Sequence, residues 1–329
     1  MIGSGRRLLR LGGAIALTWL AALAPGHALA ADAVPAACPP TAASIDAEQF
    51  RSGLRDAVAD HGFLWRIERD GHVSYLYGTI HLANPGWMYP GTLTKQAIAA
   101  SDTVALELDI LDPAISARLG SSLTARAGDA LPVDLAERLG RAMVAECMDP
   151  AQYAGLTPEF QAVMLSMSTS RRLGVDSAYG IDGVLALAGR MLAKNVLSLE
   201  TPESQAALLR SATPEKAAET VRGILDGLDG GHAAALTTRM VEAWRTSDFA
   251  TLEDYPGWCE CLRDDAERAA MKAVVDDRNL FLAAKIDALH TAGQSVFAAV
   301  GSQHMFGPQR LPTLMRERGF AVELVVPAR

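Results

Sequence analysis

Apolar and polar residues alternate from Phe63 to Glu68, break at Asp70-Gly71 and resume from Val73 to Ile80. This is the pattern of a β-hairpin closed by a tight turn. The returning strand reads Tyr75-Leu-Tyr-Gly-Thr-Ile-His81, so an apolar run passes through a glycine into an imidazole. The same device recurs far downstream, where the apolar run Val296-Phe-Ala-Ala-Val300 is followed by Gly301-Ser-Gln-His304. Thr103 to Leu108 is apolar on both faces, as in a buried central strand, and Ala321 to Val326 is a last strand. Helix-like periodicity covers about 93 to 100, the long stretch from about 113 to 290, and about 308 to 318. Within the long stretch Asn195 to Glu200 reads as a short strand. Phe160, Val163, Met164 and Met167 form one apolar stripe and Val184, Leu187, Ala188, Met191 and Leu192 another, both read as core faces. The pattern predicts an α/β fold with a mixed sheet that carries two Gly-x-x-His strand ends and a long, mainly helical insertion.

The beginning of the chain obeys different rules. Arg6, Arg7 and Arg10 precede an apolar run from Leu11 to Leu23, and Ala28-Leu-Ala30 has the small-x-small form of a cleavage site. Residues 1–30 are therefore expected to be a signal peptide cut near Ala30, which makes the protein exported, periplasmic or secreted. Residues 31–62 begin as an Ala- and Pro-rich leader tied down by Cys38, and 63–329 form the folded domain. No later stretch is long and apolar enough to span a membrane. The formal charge of −8 makes the chain a poor candidate for binding nucleic acid. The cysteines are Cys38, Cys147, Cys259 and Cys261. Export favours two disulfides, and because a bond between Cys259 and Cys261 would close a strained small ring, each is expected to pair with Cys38 or Cys147.

Familiar catalytic motifs are missing: there is no Gly-x-Ser-x-Gly, no His-Glu-x-x-His, no phosphate loop and no Gly-x-Gly-x-x-Gly. His81, His304 and Glu107 remain, each at or near a strand end. Polar groups at the carboxyl ends of α/β strands line the ligand crevice, and two imidazoles with a carboxylate form a minimal catalytic metal shell. A metal there would activate water and polarise a carbonyl. Gly78 and Gly301 are expected to supply backbone angles closed to other residues. Glu107, inside an apolar run, needs a partner; Glu200 and Arg278 form an ion pair or support the site. His61, His72, His232 and His290 are expected to be solvated.

In order, Tyr77-Gly-Thr-Ile-His81, Leu106-Glu-Leu108, Gly180-Ile-Asp182, Leu199-Glu-Thr201 and Val300-Gly-Ser-Gln-His304 resemble the signature of the TraB/PrgY/GumN family of the Tiki superfamily. The resemblance runs from Phe63 to Val326. It implies a fold similar to erythromycin esterases and haem-binding ChaN-like proteins. It also implies a metal-dependent, protease-like hydrolase using manganese, cobalt or zinc, with His81, Glu107 and His304 as active-site and metal-binding positions and Asp182 in support. Gln303, Met305-Phe306 and a longer tail after the second histidine depart from the family pattern. One carboxylate serves as ligand or base, with Glu200 a candidate for the other role. Two alternatives stand beside this: a metal-free esterase-like hydrolase acting on a small ester, and a non-catalytic binder of a peptide or haem. Chelation followed by manganese separates the first from a metalloenzyme; binding without turnover identifies the second.

Overall fold

The computed structural model describes residues 37–56 and 58–327; the segment read as a signal peptide lies outside them. Six strands form one mixed sheet in the order β4-β3-β5-β2-β1-β6. Strands β1 (Phe63–Arg69) and β2 (His72–Thr79) make the hairpin, and Asp70 and Gly71 both adopt positive φ, 53° and 78°. That is the backbone an Asp-Gly pair tolerates in a tight hairpin turn. Strand β6 (Ala321–Val326) lies antiparallel to β1. Strands β3 (Thr103–Leu106), β4 (Asn195–Ser198) and β5 (Val296–Gly301) join β2 in a parallel block, with β5 between β2 and β3.

The parallel block explains the continuous apolar runs. Helices cover both faces of such strands, so β3 and the first five residues of β5 are buried throughout. Register aligns the strand ends: Thr79 is opposite Gly301, and Leu106 is opposite Ala299. The chain therefore leaves β2, β3 and β5 side by side, and the residues just beyond them share one crevice.

Between β3 and β5 the chain is helical except for β4. Helix starts repeat one chemistry: Asp112-Pro113, Thr157-Pro158, Thr201-Pro202 and Thr213-Pro214 each place a capping side chain before a proline whose missing N–H costs nothing there. The insertion has its own small core around Leu139, Met143, Leu165, Val221 and Leu225, separate from the main core.

Three expectations are corrected. The disulfides are Cys38–Cys147 and Cys259–Cys261. The short ring closes because Glu260 turns at φ 52° and brings the two Cα atoms to 5.1 Å, within ordinary disulfide reach. Between the leader and β1, where no element was predicted, Asp46 caps a helix over Ala47–Arg55 through a capping box with Gln49. The predicted stripes hold only in part: Val184 and Ala188 are buried and Val163 and Met164 pack against the insertion core, but Ala162 and Leu165 are buried rather than Phe160, and Leu187, Met191 and Leu192 are exposed. The helix Ile181–Met191 docks through Ile181, Val184 and Leu185 together with Ala188 and Gly189, and a Cβ on Gly189 would come to 3.0 Å of both Val104 and Val196. His290, finally, is buried and bonded to Ser74 Oγ and the Arg69 carbonyl, a structural role.

Candidate functional site

Each histidine is aimed by the segment just past its strand. After β2, the backbone of residues 80–83 is clamped by residues 176–181: Ile181 N–H donates to the Ile80 carbonyl at 3.0 Å, and Ala83 and Asp176 exchange bonds. Gly180 permits this approach, since a Cβ there would lie 2.8 Å from the His81 carbonyl. Two residues on, Asp182 accepts from Thr79 Oγ1 and His81 Nδ1, both at 2.8 Å. His81 thus presents Nε2 to the crevice, with a third of its side chain exposed (33%).

His304 sits in a short 3-10 turn, Ser302–Met305, and its side chain is 4% exposed. Its Nδ1 donates to Asn279 Oδ1 at 2.6 Å, and the Asn279 amide is oriented by donating in turn to the Gln309 carbonyl at 2.9 Å. An acceptor on Nδ1 leaves the lone pair on Nε2. That atom faces Glu107 Oε1 at 3.6 Å.

Glu107 comes directly after β3 and is clamped on every side. Gly301 N–H donates to Oε1 at 2.7 Å, while Gln205 Nε2 (3.1 Å) and Arg278 donate to Oε2. The ladder continues past the strands, Glu200 N–H donating to the Glu107 carbonyl at 3.0 Å, so the two carboxylates are neighbours. Arg278 bridges them, with Nε 2.9 Å from Glu200 Oε1, and Gln205 donates to Glu200 Oε2 at 2.6 Å. Two adjacent buried carboxylates stay ionised together only with a cation between them.

The electrostatics of the three groups differ. Burial works to raise Glu107, yet Arg278, then the two histidines and the Gly301 N–H, hold its carboxyl well below the usual range. Burial pushes His304 down to about 4, with Arg278 and His81 adding to that against the opposing pull of Glu107. His81 goes the other way: burial pulls it down, but the charge and hydrogen bond of Asp182, with Glu107, outweigh that and raise it.

Gly301 marks the meeting point. Its φ is −50°, and Gly78 also lacks positive φ, so the expectation of special backbone angles is corrected for both. The requirement is space. A Cβ on Gly301 would lie 3.3 Å from Glu107 Oε1, 3.8 Å from His81 Nε2 and 3.9 Å from His304 Cδ2. A Cβ on Gly78 would press on Ser302 and Met305 at 3.1 and 3.2 Å.

The crevice opens into a cleft of about 250 Å³ whose walls are mainly apolar, with Leu108 and Leu209 among the lining residues, as are Met240, Trp244 and Val274. Donor chemistry fits a divalent ion: two imidazole nitrogens with fixed tautomers and a carboxylate oxygen converge, each imidazole oriented through its other nitrogen. Spacing does not close the set, since among the described residues no group of three His, Cys, Asp or Glu side chains is placed to hold a metal. Of the sequence candidates, His81, Glu107, His304, Asp182, Glu200, Arg278 and Gly301 meet here; Gly78 lies beneath, against Ser302. Thr79, Asn279 and Gln205 were missed. Asn279 was signalled only by its place beside Arg278, and Gln205 by nothing in the pattern.

Comparison with known proteins agrees with the family resemblance. The sequence profile of the TraB/PrgY/gumN family matches residues 63–324. The chain is similar to "Metalloprotease TIKI2" of Danio rerio, 23% identical over 318 residues, covering 81% of this chain and 61% of that protein. It is similar to "Uncharacterized protein YbaP" of Shigella flexneri, 24% identical over 251 residues, covering 74% of this chain and 88% of that protein. A shorter stretch of 112 residues is 37% identical to "Metalloprotease TIKI1" of Danio rerio, covering 30% of this chain and 22% of that protein. The chain thus spans less than two thirds of either metalloprotease. No solved structure gives a significant match.

Proposed function

The chain belongs to the TraB/PrgY/gumN family, and on that footing we propose that it is a metalloprotease-like hydrolase working in the cleft between His81, Glu107 and His304. One observation carries the proposal. Beside a mainly apolar cleft, the Nε2 lone pair of His304 faces the ionised Glu107 Oε1 at 3.6 Å, and His81 Nε2 reaches the same space. Facing lone pairs of this kind repel unless a cation or a donor hydrogen lies between them, and two imidazoles with a carboxylate are a donor set that suits a divalent ion. A manganese, cobalt or zinc ion held by His81, Glu107 and His304 would lower the pKa of a water and polarise a substrate carbonyl.

The chain's own groups divide the remaining work. Asp182 and Asn279 hold the two imidazoles in one tautomer each. Arg278, Gln205 and the Gly301 N–H keep Glu107 charged and still. A carboxylate held so far below its ordinary range is a weak base, which favours Glu107 as a ligand rather than a proton acceptor. The same fact disfavours the metal-free alternative, in which Glu107 and a histidine would activate water alone. Glu200, bonded to Arg278 and Gln205, is a holder of that cation. Apolar walls exclude water and take uncharged substrate side chains. The named metalloprotease relatives favour a peptide substrate.

The leader-like residues 1–30 and the two disulfides support an exported protein, periplasmic or secreted. No helix among the described residues is long and apolar enough to cross a membrane. A fold close to erythromycin esterases and ChaN-like proteins is part of the same proposal. The test is cleavage of an internally quenched peptide: chelation should abolish it, manganese should restore it, and His304→Ala should not respond to manganese. Cleavage that survives chelation would overturn the metal, and binding without turnover would overturn the hydrolase.

A further inference from the structure

The polar side chains lining the cleft are nearly all engaged. Thr79 donates to Asp182, Ser302 to the Thr79 carbonyl, Gln205 to both Glu107 and Glu200, and Arg278 to the same two carboxylates. His81 and His304 each spend Nδ1 and keep Nε2 for the centre. Gln303 is the exception among the described lining residues. It lies between Ser302 and His304, is part-buried, and lines the cleft. Its amide donates from Nε2 to Met240 Sδ at 3.7 Å. A thioether is a weak acceptor, so an amide with two donors and a two-lone-pair oxygen stands beside the reactive centre almost unspent.

We infer that Gln303 binds a backbone peptide unit of the substrate, its carboxamide NH₂ donating to a substrate carbonyl and its oxygen accepting the adjacent N–H. This rests on the hydrolase reading and deepens it by naming the residue that reads the substrate backbone: at one position other than the scissile bond a secondary amide is preferred to an ester. The physical ground is complementarity. A primary amide offers a donor and an acceptor side by side, the arrangement that a peptide unit pairs with at two points. An ester retains the carbonyl but has no N–H. In a cleft walled by Met240, Trp244 and Leu209, the unmatched amide oxygen would lose water without regaining a partner. Sites that hydrogen-bond a substrate N–H reject analogues lacking it more strongly than apolar pockets reject a missing methylene. Exchanging Met240 Sδ for a peptide carbonyl also improves the acceptor, so binding displaces a poor bond with a better one.

The experiment uses a cleavable peptide and a series of depsipeptides, each with one amide other than the scissile bond replaced by an ester. kcat/KM is measured with manganese for the full-length protein and for Gln303→Met, a near-isostere without hydrogen-bonding power. At one position the ester should cost the wild type about 10–100-fold, the range of one to two lost hydrogen bonds in an apolar site. Gln303→Met should lose a similar factor on the parent peptide and show no ester penalty at that position. Gln303→Ala repeats the comparison if the methionine variant fails to fold. A penalty of equal size in both proteins, or none in the wild type, overturns the role of Gln303 while leaving the hydrolase intact. If the parent peptide is not cut at all, the hydrolase reading fails. Equilibrium binding then decides the rest: weaker binding by Gln303→Met sustains peptide recognition, and equal binding ends it.

Discussion

At the end of β2 the imidazole of His81 keeps a third of its surface in the open and leans on a carboxylate; at the end of β5 that of His304 is buried and leans on an amide. The chain spells both turns Gly-x-x-His, yet the partner on Nδ1 makes them electrostatic opposites. Asp182 stabilises an imidazolium and lifts His81, whereas neutral Asn279 offers no charge and burial drives His304 down. One ring is therefore a fixed neutral lone pair, while the other, wetter ring must give up a proton before its Nε2 can hold an ion at the proposed site.

The heaviest blow to this arrangement is Arg278→Met, which leaves Glu107 and Glu200 adjacent and buried without their cation. A loss of about 3–5 kcal/mol is expected, read as a lowered midpoint of denaturant unfolding. An unchanged midpoint would mean that the two carboxylates share a proton instead. Next come exchanges that make the two histidines alike. Asp182→Asn and Asn279→Leu each remove an orienting partner and should cost about 10–100-fold in metal affinity, measured by competition with a chelating dye. Asp182→Asn should in addition drop the His81 pKa, which Asn279→Leu should leave raised.

The comparison also shows what could be read in the chain before its fold was known. Strands β1, β2, β3, β5 and β6 were legible because period-two and continuous apolar patterns arise from burial on one or two faces. Glu107 was legible as an anomaly, a charge within an apolar run that demanded the partner Arg278 supplies. The partners Gln205 and Asn279 were not legible: any helix tolerates them, and only the docking of helices on the strand ends gives them a task. The face of the helix Ile181–Met191 was read only in part: Val184 and Ala188 are buried as expected, but Gly189 admits the close approach to β3 and β4 that turns Leu187 and Met191 outward. The cysteine pairing failed for a related reason: one residue in a left-handed conformation, Glu260, decides it.

A gentler perturbation is Gly301→Ala. The new methyl would fall between Glu107 and His81 with φ already ordinary, so folding should be little affected while kcat/KM falls about tenfold, the effect of one misplaced contact near the reacting atoms. A large stability loss would mean that the glycine serves packing alone.

The mildest test changes only pH. In metal-free protein followed by imidazole NMR, His304 should stay neutral down to about 4 while His81 titrates above the ordinary histidine value. With its folded pKa depressed, His304 contributes stability that is complete above the ordinary value near 6.5 and is lost as pH falls toward 4. His81, raised, contributes stability that is complete below that value and is lost as pH rises through its folded pKa. Two superimposable titration curves would erase the asymmetry.

Crystals soaked in manganese and measured for anomalous scattering address the central claim most directly. The account predicts one peak about 2 Å from Nε2 of both His81 and His304 and from Glu107 Oε1, in front of Gly301. A peak elsewhere, or two imidazoles that bind no ion while a chelator still abolishes cleavage, would contradict it.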